Sequence, residues 1–166
     1  MKKVDVYFDF LCPYCKKGIL DLVSIMTKSG DLQVNWIPCE AHPRPEISRQ
    51  YTDLCSEAYY STVENGGNGT EFVLKVYEAG LGEGKRIDDP VLLTDLAALC
   101  GADAEKVSVD LKTRRFNAQI LKNNDTAWED LGYLAVPDYR AGDRELKSMP
   151  GCMISEEELR SFLKEI

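Results

Sequence analysis

The sequence predicts an α/β fold in which a β-α-β segment and a β-β-α segment are separated by an all-helical insertion. Three observations carry that expectation. Strand-like runs lie near both ends of the chain, the long middle stretch repeats at helical spacing, and a Cys-x-x-Cys pair sits where the first strand-like run gives way to a helix.

Residues 3–10 alternate, with Val4, Val6, Phe8 and Phe10 on one face and Asp5, Tyr7 and Asp9 on the other, which is the period of a strand. The period changes at Cys12-Pro13. Proline suits the first helical position, where its missing N–H would lack a partner anyway. Ile19, Leu20, Leu22, Val23, Ile25 and Met26 then form an apolar stripe at helical spacing, and Ser29-Gly30 ends the helix. Leu32, Val34 and Trp36 alternate with Gln33 and Asn35 in a second strand ending near Pro38. A crossover of this kind implies parallel strands joined right-handedly.

From about residue 44 to 132 the pattern is helical. Pro45-Glu46 opens a helix carrying Ile47, Tyr51, Leu54, Cys55 and Ala58, and the glycine-rich stretch 65–69 breaks it. Thr70 is the expected cap of the next helix, which carries Phe72, Val73, Val76, Tyr77 and Ala79 and stops at Gly80-Leu81-Gly82. Asp89-Pro90, an N-cap followed by proline, starts another before Leu92, Leu93, Leu96, Ala97 and Leu99. Asp103 caps a fourth through Val107, Val109 and Leu111, and a last one runs from about Phe116 to Leu131. Strand character returns at Leu134-Ala135-Val136, before Pro137. Residues 145–149 read as an edge strand, and Ser155 with Glu158 forms a capping box, with Ile154 and Leu159 as its hydrophobic staple, for a final helix over 156–164. The division is therefore 1–43 with 133–166 as one domain and 44–132 as the inserted helical subdomain.

At 166 residues with a net charge of −8, the chain suits one folded domain with an insertion and argues against a nucleic-acid surface. Arg114-Arg115 reads as a solvated helix face. No apolar run reaches the ~18–20 residues of a membrane helix. Asp5 and Asp9 interrupt what would be a signal-peptide core, so the expected location is the cytoplasm, with a trimmed mature chain given a new Met left open. Six cysteines in that compartment are not a disulfide framework.

Cys12-Pro13-Tyr14-Cys15 has three readings: half of a zinc site, two packed cysteines, or a redox dithiol. Structural zinc usually needs a second close pair of ligands, whereas Cys39, Cys55, Cys100 and Cys152 stand apart and His42 is the lone histidine, so no metal is expected. A cysteine at a helix N-terminus faces unpaired N–H groups and the positive end of the helix dipole. Those lower its pKa from ~8.5 towards roughly 3.5–7.5. Cys12 is then the nucleophile and Cys15, one turn in, resolves the mixed disulfide. The other four cysteines read as packed residues or idle surface thiols. The glycine clusters lie between helices and read as helix stops, since no strand precedes either. Trp36 and Trp128 read as core, with Tyr59, Tyr60 and Trp128 available to line a groove beside the dithiol.

At this point the chain resembles the thioredoxin superfamily, and within it the DsbA-like group, in which helices interrupt a thioredoxin-like fold. The resemblance lies in Asp9-Phe10-Leu11-Cys12-Pro13-Tyr14-Cys15, in Leu131-Gly132-Tyr133-Leu134-Ala135-Val136-Pro137, and in the helical stretch around Asp88-Asp89-Pro90 with Leu92-Leu93 and Leu96-Ala97. It implies that Val136-Pro137 is the cis-proline loop, facing the dithiol and offering backbone groups to a substrate. Two departures stand out. Thioredoxin has a buried acid six positions before its first active-site cysteine, where this chain has Val6, leaving Asp9 as a weak substitute best read as a solvated strand-end carboxylate. The run Asp138-Tyr139-Arg140 is also more polar than the family's strand, implying either poor cover or a shaped substrate site.

The leading expectation is a thiol–disulfide oxidoreductase or isomerase with no cofactor beyond its own dithiol, acting on disulfide- or thiol-containing proteins or small molecules, with no nucleic acid and no membrane. A second is glutathione-dependent: Pro13-Tyr14 is also the glutaredoxin dipeptide, with glutathione as co-substrate. The related transferases and isomerases usually carry serine in place of Cys12. A third is a redox-sensing module whose helices bind a partner. Substrate, direction and oligomeric state are not written in the sequence.

Overall fold

The computed structural model describes residues 1–41 and 50–166. Strand β1 (Lys2–Phe8) leads through a short loop into α1 (Pro13–Ser29), and β2 (Leu32–Pro38) follows. Pro13 occupies the first turn of α1, and Gly30 closes it in the left-handed region at φ 64°, a conformation that costs a glycine little. Helices α2 (Asp53–Glu64), α3 (Gly69–Tyr77), α4 (Pro90–Leu99), α5 (Ala104–Thr113) and α6 (Asn117–Asn124) come next. Then β3 (Asp138–Ala141), β4 (Arg144–Leu146) and α7 (Glu156–Glu165) complete the chain. The sheet order is β2-β1-β3-β4, with β1 parallel to β2 and antiparallel to β3, and β3 antiparallel to β4. The mixed α/β architecture and the parallel first pair are those expected.

Local chemistry explains most element ends. Asp89 caps α4 through Val91 N–H, Asp103 caps α5 through Lys106 N–H, and Ser155 with Glu158 forms the full capping box of α7. Several expectations need correction. Asn68, and not Thr70, caps α3: its side chain accepts from Glu71 N–H, while the Thr70 hydroxyl accepts from Trp36 Nε1 at 2.9 Å. The helical run of α3 does end within its glycines, but its last turn is π-helical (Glu78–Gly82), and α6 likewise ends in a π-helical turn (Asp125–Asp130) short of Leu131. The helix start at Pro45-Glu46 lies outside the described residues. Leu134-Ala135-Val136 is irregular; the strand begins only at Asp138, because Pro137 has no N–H to give the ladder. The polar run is also well covered, Asp138 being 1% and Tyr139 0% exposed. The expected edge strand is shorter and lies at Arg144–Leu146.

Arg114 and Arg115 are not simply solvated. Arg114 ends α5 with φ 53° and pairs with Asp53 and with the fully buried Glu57 carboxylate, and Arg115 pairs with Asp110 and Glu64. These pairs tie α5 and the turn after it to α2. The inserted helices are joined to the sheet end by further hydrogen bonds: Asn123 Nδ2 donates to Pro38 O at 2.8 Å and Trp128 Nε1 to Glu40 O at 2.9 Å. Trp36 is core, whereas Trp128 is half-buried at this seam, where Tyr60 also receives a bond from Asn123. Among the described residues no helix is long and apolar enough to cross a membrane.

Candidate active site

The site grows from the end of β1. Tyr7 and Phe8 are the last residues in the ladder, and the chain then turns at Asp9, whose carbonyl accepts from Cys12 N–H at 3.2 Å and from the Tyr77 hydroxyl at 2.7 Å. Asp9 is 1% exposed, so the expectation of a solvated carboxylate is overturned. One carboxylate oxygen accepts from Leu11 N–H at 2.7 Å. The other accepts from Ala41 N–H at 2.8 Å and from the Thr52 hydroxyl at 3.2 Å. Asp9 thereby ties the loop before the dithiol to the chain leaving β2 and to the start of α2. A hydrophobic residue could not do this, because it would leave two backbone donors unpaired.

Cys12 is the N-cap of α1. Its sulfur accepts from Cys15 N–H at 3.2 Å, the position a serine or aspartate oxygen takes in an ordinary cap. Cys12 is partly exposed, Cys15 is 0% exposed, and both are free thiols. The Cys15 thiol beside it, together with the Cys15 and Tyr14 N–H groups, holds the Cys12 thiol below its usual range, against the opposing effects of burial and the Asp9 charge. Burial pushes the Cys15 thiol well up, and the Cys12 sulfur adds to this. The two thiols thus differ in acidity, Cys12 being the more readily ionised and Cys15 the more firmly protonated. Tyr14 stands 37% exposed beside them and Pro13 starts the helix.

The Val136–Pro137 peptide is cis, and the Val136 carbonyl oxygen lies 3.6 Å from Cys12 Sγ. Sequence-distant Val136 and Cys12 therefore meet. Behind them Gly18, one turn below Cys15, makes a close approach possible: a Cβ there would clash with the Tyr139 hydroxyl and lie 3.2 Å from Pro137 Cγ. Asp138 follows Pro137 with its carboxyl buried. Oδ1 accepts from Ser148 N–H, while the Ser148 hydroxyl donates to the Pro137 carbonyl. Burial pushes the Asp138 carboxyl up to about 7, the Ser148 N–H and Lys147 offsetting part of that.

Gly18, Tyr77 and Ser148 carry no site signal in the sequence, and Asp138 stands out there only as part of a polar strand. A mid-helix glycine, unfavourable by roughly 1 kcal/mol against alanine, was the one available hint. Cys39, Cys55 and Cys100 are buried and their thiols are pushed up by burial, in keeping with packed residues; Cys152 is exposed. Among the described residues no three His, Cys, Asp or Glu side chains are placed to hold a metal ion.

A dithiol of unequal acidity beside a cis-proline loop, on this sheet order, invites comparison with known proteins. A protein from Bacillus subtilis (strain 168) called uncharacterized protein YwbO is 27% identical over 186 residues, covering 89% of this chain and 90% of that protein. Among solved structures, BdbD from Bacillus subtilis superposes with a TM-score of 0.75 at 19% identity, over 98% of this chain and 85% of that one. The cytosolic disulfide reductase DsbM from Pseudomonas aeruginosa superposes with a TM-score of 0.74 at 16% identity, over 98% and 97%, and has also been solved with GSH. At such identities these two structures speak for the fold. The model of the DSBA-like thioredoxin domain matches residues 3–163, nearly the whole chain, and the protein belongs to that family.

Proposed function

We propose that this protein is a dithiol–disulfide oxidoreductase working through Cys12 and Cys15 of its Cys-Pro-Tyr-Cys segment. The observation that carries the reading is the pairing of a partly exposed Cys12 sulfur, 3.2 Å from the Cys15 N–H, with a fully buried Cys15 thiol. In the reducing direction the Cys12 thiolate attacks one sulfur of a substrate disulfide and expels the other as a thiolate. A mixed disulfide results. Cys15 then loses its proton and attacks Cys12 Sγ, which releases the second substrate sulfur and leaves the Cys12–Cys15 disulfide. Two electrons pass to the substrate, whose sulfurs end as thiols. Val136 supplies backbone groups against which an extended substrate segment aligns, with Pro137 fixing the loop.

We place this activity in the cytoplasm and in the reducing or isomerising direction, with glutathione as the electron donor that regenerates the dithiol. The fold shared with a cytosolic disulfide reductase that has been solved with GSH supports this choice. The test is disulfide reduction, of insulin and of a small glutathione-linked disulfide, coupled to glutathione and glutathione reductase. Cys12→Ser is expected to abolish turnover, and Cys15→Ser to accumulate a Cys12 mixed disulfide visible by mass. Turnover that survives Cys12→Ser would end the proposal. Capture of one partner without turnover would instead favour a redox-sensing module.

A further inference from the structure

Among the described residues, two buried side-chain polar atoms have no hydrogen-bond partner, Asp138 Oδ2 and the Tyr139 hydroxyl. They belong to consecutive residues immediately after Pro137. Such atoms are rare in folded proteins and each needs a reason. The Tyr139 hydroxyl has a steric one, since it is pressed against the α1 backbone at Gly18. Asp138 has a different one. Its Oδ1 takes the Ser148 N–H, and the Ser148 hydroxyl returns a bond to the Pro137 carbonyl, so the two side chains close a ring through the backbone of residues 137 and 138. That ring fastens the cis-proline loop to the segment after β4. On the far side of Pro137, the Val136 carbonyl oxygen stands 3.6 Å from Cys12 Sγ. A carbonyl oxygen accepts a bond from a thiol and repels a thiolate, whereas the Cys15 N–H on the same sulfur does the reverse.

We propose that Asp138 and Ser148 are positioning residues for Cys12: together they hold the Val136 carbonyl against its sulfur and so restrain how readily the thiolate forms. This rests on the reading of Cys12 as the nucleophile. The ring sets the balance between the carbonyl and the Cys15 N–H, and with it the equilibrium between dithiol and disulfide, because a more stable thiolate favours the reduced form. Asp9, the charged group that bears on Cys12 directly, stands outside the ring.

The experiment titrates Cys12 in the full chain by thiolate absorbance and by alkylation rate against pH, alongside the dithiol–disulfide equilibrium with glutathione. Removing a neutral hydrogen bond of this kind corresponds to roughly a threefold to tenfold change. Ser148→Ala and Asp138→Ala are each expected to raise the Cys12 thiolate fraction below its midpoint by about that factor and to shift the glutathione equilibrium towards dithiol. The double variant should shift no further than the larger single change. Asp138→Asn, which keeps an acceptor oxygen for the Ser148 N–H, should stay near the parent. Folded alanine variants with an unmoved Cys12 titration would overturn the proposal. So would an Asp138→Asn shift equal to that of Asp138→Ala, since charge alone would then explain the effect. If Asp138→Ala does not fold, Ser148→Ala decides. The titration needs no substrate, so a parent that reduced no disulfide would sink the functional reading and still leave this measurement to judge the ring.

Discussion

At the scale of single residues, the site is a set of buried polar groups that act through their neighbours. Asp138 shows this through pH. Its carboxyl titrates near 7 in the folded chain and near 3.8 when free, so the folded state holds the proton more tightly. The stability that follows is fully present below about pH 4 and is lost as pH rises through 7, a loss on the order of a few kcal/mol. Asp138→Asn removes the charge and keeps the shape. Relative to that variant the parent is expected to lose stability steadily between pH 4 and 8, as measured by urea unfolding. A difference that does not change with pH would show that Asp138 does not titrate in this range. Glu145 works in the same direction as burial, and Lys147 against it, so the comparison is best made at fixed ionic strength. The sequence made Cys12 and Cys15 visible because their chemistry is tied to residue type and spacing, whereas Pro137 stood out only through the family resemblance. Asp138 and Asp9 were not legible in that way. A carboxylate looks the same in a sequence whether water or Ser148 N–H solvates it, and only the fold decides which.

At the scale of elements, α1 meets β3 through one close packing at Gly18. Tyr139 lies opposite Val6 in the ladder and reaches α1 where Gly18 leaves room. Gly18→Ala should gain up to ~1 kcal/mol in helix propensity and lose about 1–3 kcal/mol to overpacking against the Tyr139 hydroxyl. The expected net result is a less stable protein in urea unfolding. Tyr139→Phe in the same chain should recover most of the loss, because the next ring atom stands 3.6 Å from the added Cβ. A stabilised Gly18→Ala would refute this packing. The helices themselves were readable where a cap or an apolar stripe specified them, as at Asp89-Pro90 and at Ser155 with Glu158. They were less readable where tertiary contacts chose between similar local options. Thr70 and Asn68 are both able caps; Trp36 engages the Thr70 hydroxyl and leaves the cap to Asn68. The π-helical turns after α3 and α6 leave no mark in the periodicity from which helices are read.

At the scale of the whole molecule, the inserted helices share hydrogen bonds with the sheet end and the dithiol loop: Tyr77 with Asp9, Trp36 with Thr70, Asn123 with Pro38 and Trp128 with Glu40. Both tryptophans sit on that seam. Unfolding followed by tryptophan fluorescence should therefore coincide with unfolding followed by far-ultraviolet circular dichroism, as one cooperative transition. Two separated midpoints would mean that the seam opens before the helices melt. Of the six cysteines, Cys152 is exposed and Cys12 partly so, while Cys15, Cys39, Cys55 and Cys100 are buried. To a bulky colorimetric thiol reagent the native reduced chain should present two reactive equivalents, and once the Cys12–Cys15 bond has formed it should present one. A stoichiometric count in an ordinary spectrophotometer then reports the redox state of the centre, with no substrate and no assay of turnover.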